Sequence, residues 1–129
     1  MGTPLLIVDG ANVVGAVPDG WWRDRAGAAL RLRDDLAPVA EAGLDDLPPP
    51  LEVVLVVEGA AGGIDTVPGV RVITAPGSGD DAVVEVVRTA GADRQCTVVT
   101  ADRGLRERVG ALGARVRGPQ AIPRARPER

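Results

Sequence analysis

A chain of 129 residues fits one domain and can bury a core without disulfide or metal staples. It has no His, Lys, Phe or Tyr, and all 15 basic residues are Arg. This excludes Ser-His-Asp and Cys-His nucleophiles, imidazole acid–base chemistry, the usual His-containing zinc sites, Schiff bases and the phosphate-loop lysine. The net charge of −3 is uneven: residues 1–100 carry 7 Arg against 15 acids, and residues 101–129 carry 8 Arg against 3 acids. Such a split suits metal ligands set beside phosphate contacts, or simply a solvated helix face with a basic tail.

Residues 5–9, LLIVD, read as a buried strand ended by Asp-Gly. They are too short for a signal or membrane segment and lack a basic flank, so a soluble cytoplasmic protein is the default expectation. Residues 10–20 read as a loop. Residues 21–43 read as a helix broken or kinked near Pro38, with Leu30, Leu32 and Leu36 on its apolar face. Residues 44–50 form a turn ending in three prolines. A β-branched strand follows over 51–57, then a loop over 59–69 and a short strand over 70–74. Residues 79–91 predict a helix with Val83, Val84, Val87 and Ala90 on one face. Residues 96–100 predict a strand that opens on Cys96. This single cysteine makes no intramolecular disulfide and reads as a buried, inert thiol. A helix over 103–112 and a final strand over 114–117 complete the domain, residues 1–117. Residues 118–129, GPQAIPRARPER, read as a flexible Arg- and Pro-rich tail. Apolar strands alternating with helices indicate an α/β fold, a mostly parallel sheet covered on both faces.

The acids sit where such a fold does chemistry. Ligands of open parallel sheets bind beyond the carboxyl ends of the strands. Asp9 and Glu58 close two strands, Asp102 follows a third, and Asp80 and Asp81 open a helix. With neighbouring strands ~4.8 Å apart, adjacent strands would bring three carboxylates within metal-bridging reach. Bare carboxylates ~4 Å apart repel by about 4 kcal/mol at an effective dielectric of ~20, so the cluster must take up protons or cations. Oxygen ligands favour Mg²⁺ or Mn²⁺, and metal-activated water can hydrolyse a phosphodiester without a protein nucleophile.

Each acid also has a plainer role. Asp9 before Gly suits a turn, although Asn12 in DGAN adds a second oxygen-bearing side chain. Asp102 can cap the following helix. Ser78-Gly79-Asp80-Asp81 matches a capping box that would occupy Asp81 and leave Asp80 as the freer ligand. Glu58 can be a solvated strand end, and Glu85 reads as an exposed helix residue. Arg103, Arg106 and Arg108 follow Asp102 and are candidates to hold a substrate phosphate. Trp21-Trp22 can stack on bases or staple the first helix to the sheet, and stapling is favoured. GAAGG at 59–63 and GSG at 77–79 fit neither dinucleotide nor Walker spacing. Ala11 stands where aspartyl phosphatase chemistry would need a second Asp.

LLIVDGANVVG, VVEG, GSGDDAVVEVV and TVVTADRGLRERVGALGARV together resemble the NYN branch of PIN-like ribonuclease domains, in particular the small bacterial YacP-like proteins. The likeness spans residues 4–117. It implies a single PIN-like domain with sheet order 3-2-1-4-5 and Mg²⁺- or Mn²⁺-dependent endonucleolytic cleavage of RNA to 5′-phosphate and 3′-hydroxyl ends. By position it implies Asp9, Asp80 or Asp81, and Asp102 as the family acids and Asn12 as the polar residue of the turn. Joined to the reading of the residues, Asp9, Asp80 and Asp102 are the expected catalytic metal ligands, with Asp81 and Glu58 assisting, Asn12 orienting water or substrate, and Arg103 or Arg106 on phosphate. Many PIN domains carry a further acid two residues after the strand-end Asp, where this chain has Gly104. The implied partner is RNA, with mRNA, tRNA and rRNA undistinguished and ribosome association open. The alternative is an RNA- or ribosome-binding module with weak or lost catalysis. Apolar outer faces leave a dimer open without requiring one.

Overall fold

Five strands, β1 (Leu5–Asp9), β2 (Glu52–Glu58), β3 (Arg71–Ala75), β4 (Cys96–Val99) and β5 (Arg115–Arg117), form one parallel sheet in the order β3-β2-β1-β4-β5. The computed structural model describes residues 2–16, 20–44, 46–59, 63–91 and 93–124. β1 is central and buried along its whole length, as a strand covered on both faces must be. Its register runs Leu5 to Asp9 against Glu52 to Val56 on one side, and Leu5 to Val8 against Cys96 to Val99 on the other.

The two-residue alternation of strands sorts the core into two layers. Leu6, Val8, Val53, Leu55, Val57 and Val99 face a layer made by α1 (Gly10–Gly15), α2 (Arg25–Leu36) and α3 (Val39–Ala42). Leu5, Ile7, Val54, Val56, Cys96 and Val98 face α4 (Gly79–Ala90) and α5 (Arg103–Ala111). Without Phe or Tyr, both layers are filled by Val, Leu, Ile and Ala. Burial pushes the Cys96 thiol pKa up, in keeping with an inert core residue.

Several segments differ from the sequence expectation. The expected loop over 10–20 begins instead as α1, which starts directly from Asp9. Gly10 permits this turn, because a Cβ there would lie 2.6 Å from the Val56 carbonyl oxygen. Residues 17–19 of that loop, and 60–62 of GAAGG, lie outside the described residues. The helix expected over 21–43 breaks at Pro38 into α2 and α3, as expected, and its first residues form instead a 3₁₀ turn at Trp21–Arg23. Asp24 caps α2 by accepting the Gly27 N–H, and Pro38 separates α2 from α3. Leu30 is exposed rather than apolar-facing, because Ala28, Ala29, Leu32 and Leu36 form the buried stripe.

The larger correction concerns the chain end. Composition predicts a flexible tail from residue 118 onward, yet residues 118–124 dock. Pro119 is buried in a 3₁₀ turn, Ile122 is 3% exposed within the first core layer, and Arg124 Nε donates to Asp35 Oδ2 of α2 at 2.8 Å. One isoleucine and one ion pair anchor a segment whose composition suggested neither. Residues 125–129 lie outside the described residues. Ile122→Ala is expected to cost about 2–5 kcal/mol in urea unfolding, as buried aliphatic truncations do. A flexible segment would give no change in the unfolding midpoint.

Candidate active site

The alternation that builds the second core layer also aims the site. Asp9 continues the Leu5, Ile7 row, Glu58 the Val54, Val56 row, and Thr100 the Cys96, Val98 row. All three therefore leave the sheet on the α4/α5 face at its carboxyl end. The helices present their own acids there: Asp80 in the first turn of α4 and Asp102 as N-cap of α5.

Asp9 is 5% exposed. Its Oδ2 accepts the Thr100 hydroxyl at 2.9 Å, and Thr100 is itself fully buried. The same Oγ1 accepts the Asp102 N–H at 3.1 Å. One hydroxyl thus ties the end of β1 to the segment that starts α5. Asn12 adds a second tie, its Oδ1 accepting the Ala101 N–H at 2.7 Å. Thr100 thereby joins the cluster, although it reads from the sequence as one more strand residue. Its signal is a hydroxyl in register with the strand-end acid and two residues before Asp102.

Glu58 is not a free solvated strand end, since its Oε2 accepts the Gly79 N–H at 2.9 Å, across to the start of α4. Ser78 caps α4 by accepting the Asp80 N–H at 3.2 Å. The full capping box is not formed. Asp81 points away and pairs with Arg108 at 3.0 Å in an exposed contact. Asp102 Oδ1 accepts the Leu105 N–H at 2.9 Å, so it caps α5 as its position suggested. Glu85 is exposed and pairs with Arg88, as expected.

The acids feel one another. Burial raises the Asp9 pKa above 3.8, opposed by the Thr100 hydroxyl and the Asn12 backbone amide and reinforced by the charges of Asp80 and Glu58. Asp80 is also raised, first by desolvation and then by Asp102, with Arg108 opposing and Glu58 and Asp81 adding to the rise. The donor set is carboxylate oxygen throughout, which fits a hard divalent cation. The side chains are not arranged as a ready cage, however. Among the described residues no group of three or more acidic or thiol side chains is placed to hold a metal ion. The expected convergence within bridging reach is absent here, because Glu58, Asp81 and Asp102 each turn to a hydrogen-bond donor of their own.

The basic residues divide by engagement. Arg106 Nε donates to the Thr100 carbonyl at 2.9 Å and braces the site from α5. Arg108 is committed to Asp81. Arg103, exposed at the first position of α5, makes no ion pair or side-chain hydrogen bond among the described residues. Gly104 leaves the space beside Asp102 open: a Cβ there would lie 3.4 Å from Asp102 Oδ1. A cavity of about 440 Å³ lies at the opposite end of the sheet, among Leu5, Glu52, Arg71 and Arg94. Glu52 is there paired with Arg71 and Arg94, so no unbalanced acidic cluster exists at that end among the described residues. Among the described residues no helix is long and apolar enough to cross a membrane.

No family model matches the sequence, and no curated protein matches it. Solved structures do. A crystal structure of Rae1 (YacP) from Bacillus subtilis superposes with a TM-score of 0.74 at 19% identity, covering 94% of this chain and 71% of that chain. A tryptophan-to-leucine mutant of the same protein gives a TM-score of 0.72 at 17% identity, covering 92% and 72%. With the sheet order β3-β2-β1-β4-β5 and this likeness over nearly its whole length, the chain has the fold of Rae1 (YacP).

Proposed function

We propose that the chain is a divalent-metal-dependent endoribonuclease. The observation that carries this reading is the gathering of Asp9, Glu58, Asp80 and Asp102 at the carboxyl end of a parallel sheet, where burial first and neighbouring acids second raise the pKa of Asp9 and of Asp80. The YacP-like fold agrees with it. Asp9, Asp80 and Asp102 would hold Mg²⁺ or Mn²⁺, with Glu58 and Asp81 assisting. When bound, such an ion neutralises the cluster and supplies the activation of water and the charge stabilisation that phosphodiester hydrolysis needs.

The protein's own groups have separable tasks. Thr100 fixes the Asp9 carboxylate in orientation. Asn12, its carbonyl engaged by Ala101, keeps its amide N–H groups for substrate or water. Arg103 is placed to take a nonbridging phosphate oxygen. Water adds to phosphorus, the bond to O3′ breaks, and the ends carry a 5′-phosphate and a 3′-hydroxyl that has gained the proton. A second reading, an RNA-binding module without catalysis, is favoured by the engagement of Glu58, Asp81 and Asp102 with donors of their own. Under that reading no metal-dependent cleavage exists to be lost.

The deciding assay is cleavage of a structured-RNA panel with Mn²⁺, with Mg²⁺ and with EDTA. Wild type is expected to cut only with metal, and Asp9→Asn or Asp80→Asn to lower the rate on the order of a hundredfold or more. Binding without cleavage by wild type would favour the second reading. Thr100→Val removes the acceptor of the Asp102 N–H and the donor to Asp9. It should lower kcat/KM about tenfold while the far-UV spectrum is retained. Equal kcat/KM would remove Thr100 from the site.

Stability gives an independent readout. Because Asp9 and Asp80 are raised in the folded state, the folded chain binds protons at pH values where the unfolded chain does not. Their ionised forms cost the folded state most at neutral pH, and that cost is relieved as pH falls toward 3.8. Mg²⁺ or Mn²⁺ should therefore raise Tm more at neutral than at mildly acidic pH, by about 2.7 kcal/mol of stability at a hundred times Kd. Asp9→Asn should abolish most of that gain. A metal response that ignores pH and Asp9 would place the ion elsewhere.

A further inference from the structure

Building on the ribonuclease reading, we propose that Trp22 is a stacking platform for an unpaired base of the bound RNA. The two adjacent tryptophans divide the roles that their sequence left together. Trp21 is half-buried against the first core layer and does the stapling. Trp22 is 53% exposed, and among the described residues it is the one aromatic side chain left largely in water. Its ring stands edge-on to Trp21, with centroids 6.1 Å apart and planes at 87°. The 3₁₀ turn at Trp21–Arg23 fixes its backbone. An indole left in solvent forgoes burial, and a flat partner landing on the ring face that Arg23 leaves open would regain it.

Its surroundings select that partner. The Arg23 guanidinium lies 5.9 Å from the Trp22 ring centroid, and the Arg25 guanidinium 5.2 Å from that of Trp21. Aromatic faces flanked by Arg are how single-stranded nucleic acid is gripped without sequence readout, bases on the rings and phosphates on the guanidiniums. Its neighbour Trp21 is joined to the edge of the acidic cluster through Glu58 alone. Trp21 and Arg25 line a notch with Gly10 and Glu58, and Glu58 reaches from that notch to the start of α4. At about 40 Å³ the notch is too small to take a base, so the base stacks on the exposed ring rather than inserting. The carboxylates repel a polyanion. The Arg23 and Arg25 guanidiniums over the tryptophan rings would supply an attraction that the acids deny.

The test uses the full chain carrying Asp9→Asn, so that RNA survives, and a fluorescein-labelled single-stranded RNA decamer of mixed sequence. Fluorescence anisotropy should show Kd rising about tenfold on adding Trp22→Ala and largely recovering in Trp22→Phe. A decamer of abasic ribose phosphates should bind the parent protein and its Trp22→Ala variant equally. In a Trp21→Phe background, the remaining tryptophan should be quenched by the decamer and not by its abasic counterpart. Unchanged Kd in Trp22→Ala, an equal loss with abasic RNA, or a lowered melting midpoint in Trp22→Ala would each overturn the stacking role and leave the ribonuclease reading standing. Failure of the parent protein to bind RNA, together with no cleavage by wild type, would overturn both.

Discussion

An ionisable group at the end of a fully apolar strand is the constraint on which the rest of this structure depends. β1 must be central and covered on both faces to bury Leu5 through Val8, and the same placement buries the carboxylate that follows them. A carboxylate there needs a donor, and the parallel register with β4 supplies one by setting Thr100 alongside. The hydroxyl that satisfies Asp9 also receives the Asp102 amide, so the start of α5 is positioned by the need to solvate β1's last residue. Packing and chemistry are not separable at this corner of the molecule.

The remaining acids are distributed around that corner by helix physics. Asp80 and Asp102 occupy first-turn and N-cap positions, where backbone N–H groups and the helix dipole favour negative charge. Glu58 accepts from the same kind of amide at Gly79. Helix starts therefore gather carboxylates and partly stabilise them, yet desolvation still keeps Asp9 and Asp80 reluctant to ionise. Under the proposed reading, a bound cation would relieve this cost. Three Arg residues of α5 complement it from outside: Arg106 braces the backbone, Arg108 is paired with Asp81, and Arg103 stands exposed without an ion pair among the described residues.

Much of this was readable from residues. The sheet order followed from the family likeness, the placement of Asp9, Glu58 and Asp102 from acids at the ends of apolar runs, and that of Asp80 from its position at the start of a helix. What escaped had specific causes. α1 was invisible because its start depends on Gly10 clearing a carbonyl of another strand, a contact between residues far apart in sequence. Thr100 looked like one more strand residue until its register with Asp9 was known. The outward turn of Asp81 depended on Arg108 of a different helix. Residues 118–124 had the composition of a tail, and a single buried isoleucine with one part-buried ion pair outweighed it. The tryptophan pair could not be divided between core and surface without knowing that the chain turns in 3₁₀ fashion there.

The docking of Ile122 has a consequence for biosynthesis. The layer it enters is otherwise built from the first half of the chain, from Leu6 to Val70, together with Val99 of β4. As the polypeptide emerges from the translating ribosome, that layer keeps an uncovered apolar site until residue 122 is free to reach it. Domains generally condense as units, and contacts of long sequence separation form late. The nascent chain therefore cannot close its first layer early, however soon its N-terminal strand and helices are available.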